Sequence, residues 1–328
     1  MTGTSELPAR TPVSRVPCPD PDDFARQFVD TCQPVVVSGA VEGWPALHRW
    51  TPEWLSEHFG DRVVPVSCGP VTSGTTLEMT LGDFLTSMER ARPAGQLYLR
   101  QLRLPGVLPE LMADFSTPPY CPPERPVITN LWLGPEDTVQ PFHKDNQNPF
   151  APVHNLLVQV RGRKLVSLVS PDHDAGMYPR PAGQALANYS QVDYLQPDFV
   201  RFPHFRDVEV QEAVIGPGEI VFIPAGAWHH VRSLEPSISL NFWWHRTRLA
   251  SVVALLAGSG PSASVHLPGR IGRDDVQEFG GIWPLALVAR TLPADAIRRL
   301  LATCSPEVEG ALGSALDELG RQATPPRA

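Results

Sequence analysis

The sequence predicts a mainly β fold with flanking helices, followed by a C-terminal helical region. Three observations carry this. The chain has 37 prolines in 328 residues, and they gather at the ends of apolar runs, as at Pro118, Pro119, Pro122 and Pro123. That is the punctuation of many short strands joined by stiff turns. Strand formers then recur in short runs as far as Trp244. Beyond Trp244 the apolar spacing becomes helical.

The length accommodates one large domain with an appendage, or two ordinary domains. A hydrophobic content of 42% with 19% charged residues fits a globular chain. The net charge of -8 and pI near 5.7 argue against a nucleic-acid partner, since phosphate binding calls for a basic surface. The five cysteines (Cys18, Cys32, Cys68, Cys121 and Cys304) are odd in number and lack a CxxC pair, so they read as thiols of a reducing cytoplasm. No apolar stretch reaches membrane-spanning length, and residues 1–16 lack the apolar core of a signal peptide. A cytoplasmic protein without a membrane partner is expected.

Taken in order, residues 1–15 are polar and small and are expected to be a disordered tail, with one domain at 16–247 and a helical region at 248–328. Asp20-Pro21-Asp22-Asp23 before Phe24, Phe28 and Val29 is the acidic first turn of a short helix. Residues 34–38 (PVVVS) form a strand. Gly43-Trp44-Pro45 turns the chain, and Thr51-Pro52-Glu53 starts a helix with a capping hydroxyl and proline at the first position. Residues 63–67 are a second strand, and Thr80 caps a helix running to about Met88. Residues 96–102 (QLYLRQL) alternate as a strand and carry Tyr98; residues 127–134 (VITNLWLG) follow, with Trp132 as wall or core. In the last region, helices are expected at 248–259, 277–292 and 293–304, then from Ser305-Pro306-Glu307. Their stripes comprise Ile297, Leu300, Leu301 and Cys304, then Val308, Ala311, Leu312, Ala315, Leu316 and Leu319.

The chemistry-bearing stretch is 138–164, TVQPFHKDNQNPFAPVHNLLVQVRGRK, answered by 216–230, GPGEIVFIPAGAWHH. Alternate side chains of a strand share a face, so His143 and Asp145 point one way and Lys144 the other. His229 and His230 face opposite sides, and one at most joins the pair. Two imidazoles and a carboxylate are the ligand set of a non-haem Fe(II) oxygenase, which leaves coordination positions open for co-substrate and oxygen. Residues 154–160 and 163–170 read as a hairpin turning at Arg161-Gly162, with Gln159 opposite Lys164, Leu157 opposite Val166 and Asn155 opposite Leu168. Paired residues share a face, so Asn155 and Lys164 lie together on a largely apolar side. A lysine there needs an anion. A bound dicarboxylate is one reading; a solvated lysine on an edge strand is the other.

These segments carry a resemblance. HNLLVQVRGRK, MYP (177–179), SQVDYLQPDFVRFPHF (190–205), PGEIVFIPAGAWHHV (217–231) and SISLNFWW (237–244) resemble the cupin-like Jumonji-C oxygenases. These are Fe(II)/2-oxoglutarate enzymes that include the factor inhibiting HIF-type hydroxylases. The likeness runs from about Pro34 to Trp244 and implies a double-stranded β-helix, the cupin or jelly-roll barrel. The family ligand directly follows the tryptophan, which selects His229. His143, Asp145 and His229 are then implied to hold Fe(II), with O2 as co-reactant. Lys164 and Tyr98, with Asn155, are implied to contact the far carboxylate of 2-oxoglutarate. Asn241 either lies near that co-substrate or is a satisfied buried amide. The implied activity is hydroxylation of an amino-acid side chain in a peptide or protein, or of an amino-acid-derived metabolite, with release of succinate and CO2; some relatives demethylate lysine. In some relatives the C-terminal helices pair two subunits, so a homodimer is expected. Two departures stand out: Gln140 occupies a place where relatives carry a small hydroxyl residue, and residues 146–153 look like an insertion. Two alternatives remain open, a catalytically silent cupin binding module and a metal-dependent cupin that does not use 2-oxoglutarate.

Overall fold

The computed structural model describes residues 8–71, 75–89, 97–123, 125–145, 152–258 and 270–322. All but the last two residues of the expected insertion at 146–153 lie outside them. The chain divides into two units, the described residues up to Trp244 forming the first, except Pro152, which groups with those from His245 onward in the second.

The first unit is built from two sheets. Its strands begin with β1 (Ala9–Pro12), β2 (Arg15–Pro17), β3 (Val35–Ser38), β4 (Val63–Cys68), β5 (Thr76–Thr80), β6 (Leu97–Arg103) and β7 (Ile128–Gly134). There follow β8 (Val139–His143), β9 (Val153–Arg161), β10 (Lys164–Val169), β11 (Glu209–Ile215), β12 (Ile220–Ile223), β13 (Trp228–Ser233) and β14 (Ser237–His245). One sheet has the order β1-β11-β10-β13-β8 and the other β2-β3-β12-β9-β14-β7-β6-β4-β5. The inner faces meet in one apolar layer. Val36, Leu157, Val221 and Ile223 of the larger sheet pack with Val166, Leu168, Ala213, Ile215 and Val231 of the smaller. This is the double-stranded β-helix that the resemblance implies.

Both sheets are also covered outside. Leu156, Val158 and Val160 of β9, Phe222 of β12, and Leu240 and Phe242 of β14 pack with Phe24, Trp44, Trp50 and Leu55 from the N-terminal helices and turns. Burying each such side chain contributes about 1.5–3 kcal/mol. With both faces buried, β9 carries Leu156, Leu157 and Val158 in succession where a half-solvated strand would alternate. The expected caps are present. Asp20 accepts from Asp22 N ahead of the helix Pro21–Phe24, and Thr51 Oγ1 accepts from Trp54 N at 3.1 Å. Thr80 Oγ1 accepts from Asp83 N at 3.1 Å.

Three expectations are corrected. Residues 1–15 are not a tail throughout: Ala9–Pro12 pairs in parallel with β11, and Arg15 pairs with Val36 of β3. Edge strands of this kind are held by backbone hydrogen bonds, so a polar composition does not preclude them. Second, β9 and β10 are not a hairpin. β9 lies between β12 and β14, whereas β10 lies between β11 and β13 in the other sheet. The Arg161-Gly162 turn is a corner between sheets, stabilised by the Gln159 side-chain amide, which donates to Arg161 O at 2.7 Å and Gly162 O at 3.1 Å. Asn155 and Lys164 still face one cavity, because both point inward from opposite sheets.

The third correction falls in the second unit, whose helices are Arg248–Gly258, Arg273–Glu278, Ile282–Ala289, Ala294–Thr303 and Pro306–Gln322. The single helix expected over 277–292 is broken where Gly280 and Gly281 adopt φ of 105° and 106°, a conformation that L side chains rarely adopt. Leu300, Cys304, Val308, Leu312 and Ala315 are buried together with Leu249, Val252 and Leu285, while Ala311 of the expected stripe is exposed. Among the described residues no helix is long and apolar enough to cross a membrane. No disulfide links the cysteines.

Candidate metal centre and its cavity

Between the sheets lies a cavity lined by Tyr98, Trp132, Gln140, His143, Asp145, Asn155, Leu157, Lys164, Ile223, His229, Val231 and Asn241. The two histidines come from neighbouring antiparallel strands and are direct register partners, His143 in β8 and His229 in β13. Paired residues share a face. The ladder then slips: Gln140 pairs with Val231, so three steps on β8 answer two on β13. This β-bulge turns both Gln140 and His143 inward and sends Phe142 to the outer core with Trp228 and Tyr194. His230 goes outward too, its ring 5.6 Å from that of Phe142 and 5.2 Å from that of Tyr194. His229 is the histidine that the structure places with the pair.

The donor atoms of His143, Asp145 and His229 lie within 4.8 Å of one another, and all three residues are buried. His143 Nε2 is 3.6 Å and His229 Nε2 3.4 Å from Asp145 Oδ1. On the far side of each ring, Nδ1 meets only backbone carbonyls. For His143 these are Pro141 O at 2.9 Å and His229 O at 3.1 Å; for His229 it is Ala227 O at 3.3 Å. A carbonyl only accepts, so these contacts assign the proton to Nδ1 and leave a lone pair on each Nε2. Burial, reinforced by His229, lowers the His143 pKa and keeps it neutral. Burial alone would raise the Asp145 carboxyl, but whenever the imidazoles carry a second proton their charge and hydrogen bonds outweigh it and hold the pKa well below the usual carboxylate range. Asn155 Nδ2 donates to Asp145 Oδ2 at 2.7 Å, which fixes the second oxygen and leaves the first toward the histidines. Two lone pairs and a carboxylate oxygen thus converge in a buried space, a donor set that fits a divalent cation.

Lys164 enters from the other end. On β10, Lys164, Val166 and Leu168 are register partners of Ser233, Val231 and His229, so the lysine shares the inward face. It is 2% exposed. Burial pulls its pKa from 10.5 to about 7, and among the described residues no neighbouring charge acts on it. A buried ammonium without a counter-charge fits an anionic ligand. Its Nζ stands 5.9 Å from the Tyr98 ring centroid, and burial raises the Tyr98 phenol's pKa. The ring packs closely on Gly134, where a Cβ would come within 2.6 Å of Tyr98 Cδ2. Asn241 Oδ1 accepts from Asn130 Nδ2 and Trp132 Nε1, each at 3.1 Å, so its own Nδ2 is left for the cavity. Asn241 is thus a tethered buried amide that also lines the cavity. Leu157, Ile223 and Val231 make the remaining wall apolar.

Asn130 and Tyr189 carry no role in the sequence reading. Tyr189 stacks on His143 with ring centroids 5.0 Å apart and an interplanar angle of 20°, and its hydroxyl accepts from Gln140 Nε2 at 2.6 Å. It reaches the site from a loop that bridges to His143, where no periodicity signals the approach. Asn130 is legible only as a strand position two before Trp132.

A model of the cupin-like domain matches residues 21–249. Over 242 residues the chain is 37% identical to lysine-specific demethylase 8 of Danio rerio, covering 71% of this chain and 58% of that protein. It is 34% identical to the protein of the same name in Xenopus tropicalis, covering 73% and 54%. Jumonji C domain-containing protein 5 of Drosophila melanogaster is 32% identical, covering 74% and 64%. The chain thus spans between half and two thirds of the length of these relatives. Matched over most of its first unit, and carrying the His-Asp-His cluster between its sheets, the chain belongs to the cupin-like domain family, among its Jumonji-C members.

Proposed function

We propose that the chain is an Fe(II)/2-oxoglutarate-dependent oxygenase. Its substrate is an amino-acid side chain in a peptide or protein, or an amino-acid-derived metabolite, and hydroxylation is coupled to release of succinate and CO2. The observation that supports this most is one cavity holding both a buried His-Asp-His donor set and a buried lysine without a counter-charge among the described residues. Neither a silent barrel nor a cupin that dispenses with 2-oxoglutarate has need of that lysine. Bound there, Fe(II) would supply oxygen activation through oxidative decarboxylation of the co-substrate. His143, Asp145 and His229 would hold the metal. The backbone carbonyls at Nδ1 and the Asn155 amide at Oδ2 keep the donors aimed before it arrives, which lowers the cost of ordering them. Lys164 would neutralise the distal carboxylate of 2-oxoglutarate as a point charge, with the Tyr98 hydroxyl beside it and the Asn241 amide on the same wall. The apolar side chains exclude water and strengthen that pairing.

The names of the relatives favour a second reading, hydroxylation of an N-methyl group on lysine with loss of formaldehyde. Assays for succinate and formaldehyde with Fe(II), 2-oxoglutarate and O2 test both. Succinate formation is expected in the wild type and its loss, by about 100-fold or more, in His143→Ala and Asp145→Ala. Full activity in either variant would contradict the ligand assignment. Formaldehyde in step with succinate would favour the second reading.

A further inference from the structure

Strand β6 carries a charged residue that this reading leaves without a role. Tyr98 lines the cavity, whereas Leu99 and Leu102 both lie in the outer core beneath the helices. Two outward residues three apart require a slip in the ladder, and it is present: Leu99 pairs with Leu133 and Leu102 with Leu131. Gln101 absorbs it with a left-handed φ of 52°. A non-glycine residue there costs ~1 kcal/mol or more, and a bulge of this kind re-aims a side chain beside a site. The outcome is that Arg100, adjacent to Leu99 and two positions after Tyr98, shares the Tyr98 face of β6, just outside the residues that line the cavity.

The Arg100 guanidinium is half-buried. Burial lowers its pKa, and the ionisable groups acting on it are the phenols of Tyr189 and Tyr98. The first stacks on His143 and the second faces Lys164, so Arg100 lies within electrostatic reach of the aromatic wall that joins the two ends of the site. No carboxylate acts on it among the described residues. A guanidinium has five donors and no acceptor, and leaving it partly desolvated and unpaired is unfavourable unless a ligand completes it. Its planar fork matches a carboxylate with two parallel hydrogen bonds.

We propose that Arg100 is the specificity-determining residue for the acceptor substrate, and that this substrate carries a carboxylate which pairs with the guanidinium while the carbon to be hydroxylated sits at the metal centre. The inference rests on the oxygenase reading and narrows it. A methylated lysine would bring a cation against an unpaired arginine. Asp145 is the one carboxylate lining the cavity among the described residues, and Asn155 and the imidazoles already engage it.

The test uses the full chain loaded with Fe(II). Succinate formed from 2-oxoglutarate with no acceptor present checks the oxygenase reading; its absence in the wild type would sink that reading by itself. Three defined pools are then added, each of free amino acids and short peptides. One is acidic (Asp, Glu), one holds the matching amides (Asn, Gln), and one is basic (Lys, methylated Lys, Arg). The acidic pool is expected to stimulate succinate formation about 10- to 100-fold more than the amides. Measured as a ratio within each variant, that preference falls to about one in Arg100→Gln, recovers in part in Arg100→Lys, and inverts toward the basic pool in Arg100→Glu. Comparing free acids with acidic peptides separates a metabolite from a protein source. The inference is overturned by a wild type that prefers the amide or basic pool or responds to none. It is equally overturned by an Arg100→Gln that keeps the acidic preference, or in which the main change is a raised KM for 2-oxoglutarate.

Discussion

Lys164 couples the site to pH. Burial lowers its pKa from 10.5 to about 7, so between those values the unfolded chain holds a proton that the folded chain has released. Stability without ligand therefore rises with pH across that window, at up to about 1.4 kcal/mol per pH unit from this group, and the destabilising charge is fully present below it. An anion at Lys164 favours the charged form. Affinity for 2-oxoglutarate is accordingly flat below about pH 7 and falls above it by up to about tenfold per unit, with uptake of a proton. Calorimetric titration of the metal-loaded protein from about pH 6 to about pH 8.5, in buffers of different ionisation enthalpy, checks this. Lys164→Met should bind about tenfold or more weakly and lose the slope; an affinity independent of pH in the wild type would contradict the account. The sequence left this residue between a dicarboxylate partner and a solvated edge-strand position, and its burial at 2% exposure removes the solvated reading.

At the level of elements, the sequence separates what period two determines from what it does not. Alternation put His229 and His230 on opposite sides and left the resemblance to select His229, and it put Asn155 and Lys164 together on a largely apolar face. It could not tell a hairpin from a corner, since two short apolar runs around Arg161-Gly162 fit both. The distinction lies in long-range pairing: β9 buries both its faces, one under the helices and one against the smaller sheet, which a solvated hairpin would not do. The bulges in β6 and β8 were equally hidden, because an extra residue in a ladder leaves no mark until both strands are known. The corner has its own test. Gly162 has φ of 69°, and a Cβ there would overlap Pro236 O in the turn between β13 and β14. Gly162→Ala is therefore expected to cost about 1–3 kcal/mol, read as a lower denaturation midpoint. A shift within experimental error would show that the corner does not need glycine.

For the molecule as a whole, each unit has its own core. In the helical unit the stripes foreseen from the sequence are largely covered by one another, while Trp283 and Leu287 remain exposed at 49% and 46%. Four residues apart on one helix, they present one face. We propose that this face, in place of the stripes that are now covered, pairs two copies of the chain into the homodimer that the resemblance implies. Light scattering at micromolar concentration should give twice the chain mass of 36.0 kDa, reduced toward that mass in Trp283→Glu; a strict monomer would remove the proposal. The central claim is that one cavity holds a metal and a dicarboxylate together, and anaerobic titration with Fe(II) and 2-oxoglutarate tests it most directly. A weak visible charge-transfer band is expected in the wild type, weakened in Lys164→Ala. A protein that binds iron but shows no band on adding 2-oxoglutarate would contradict the account and point to another cupin chemistry.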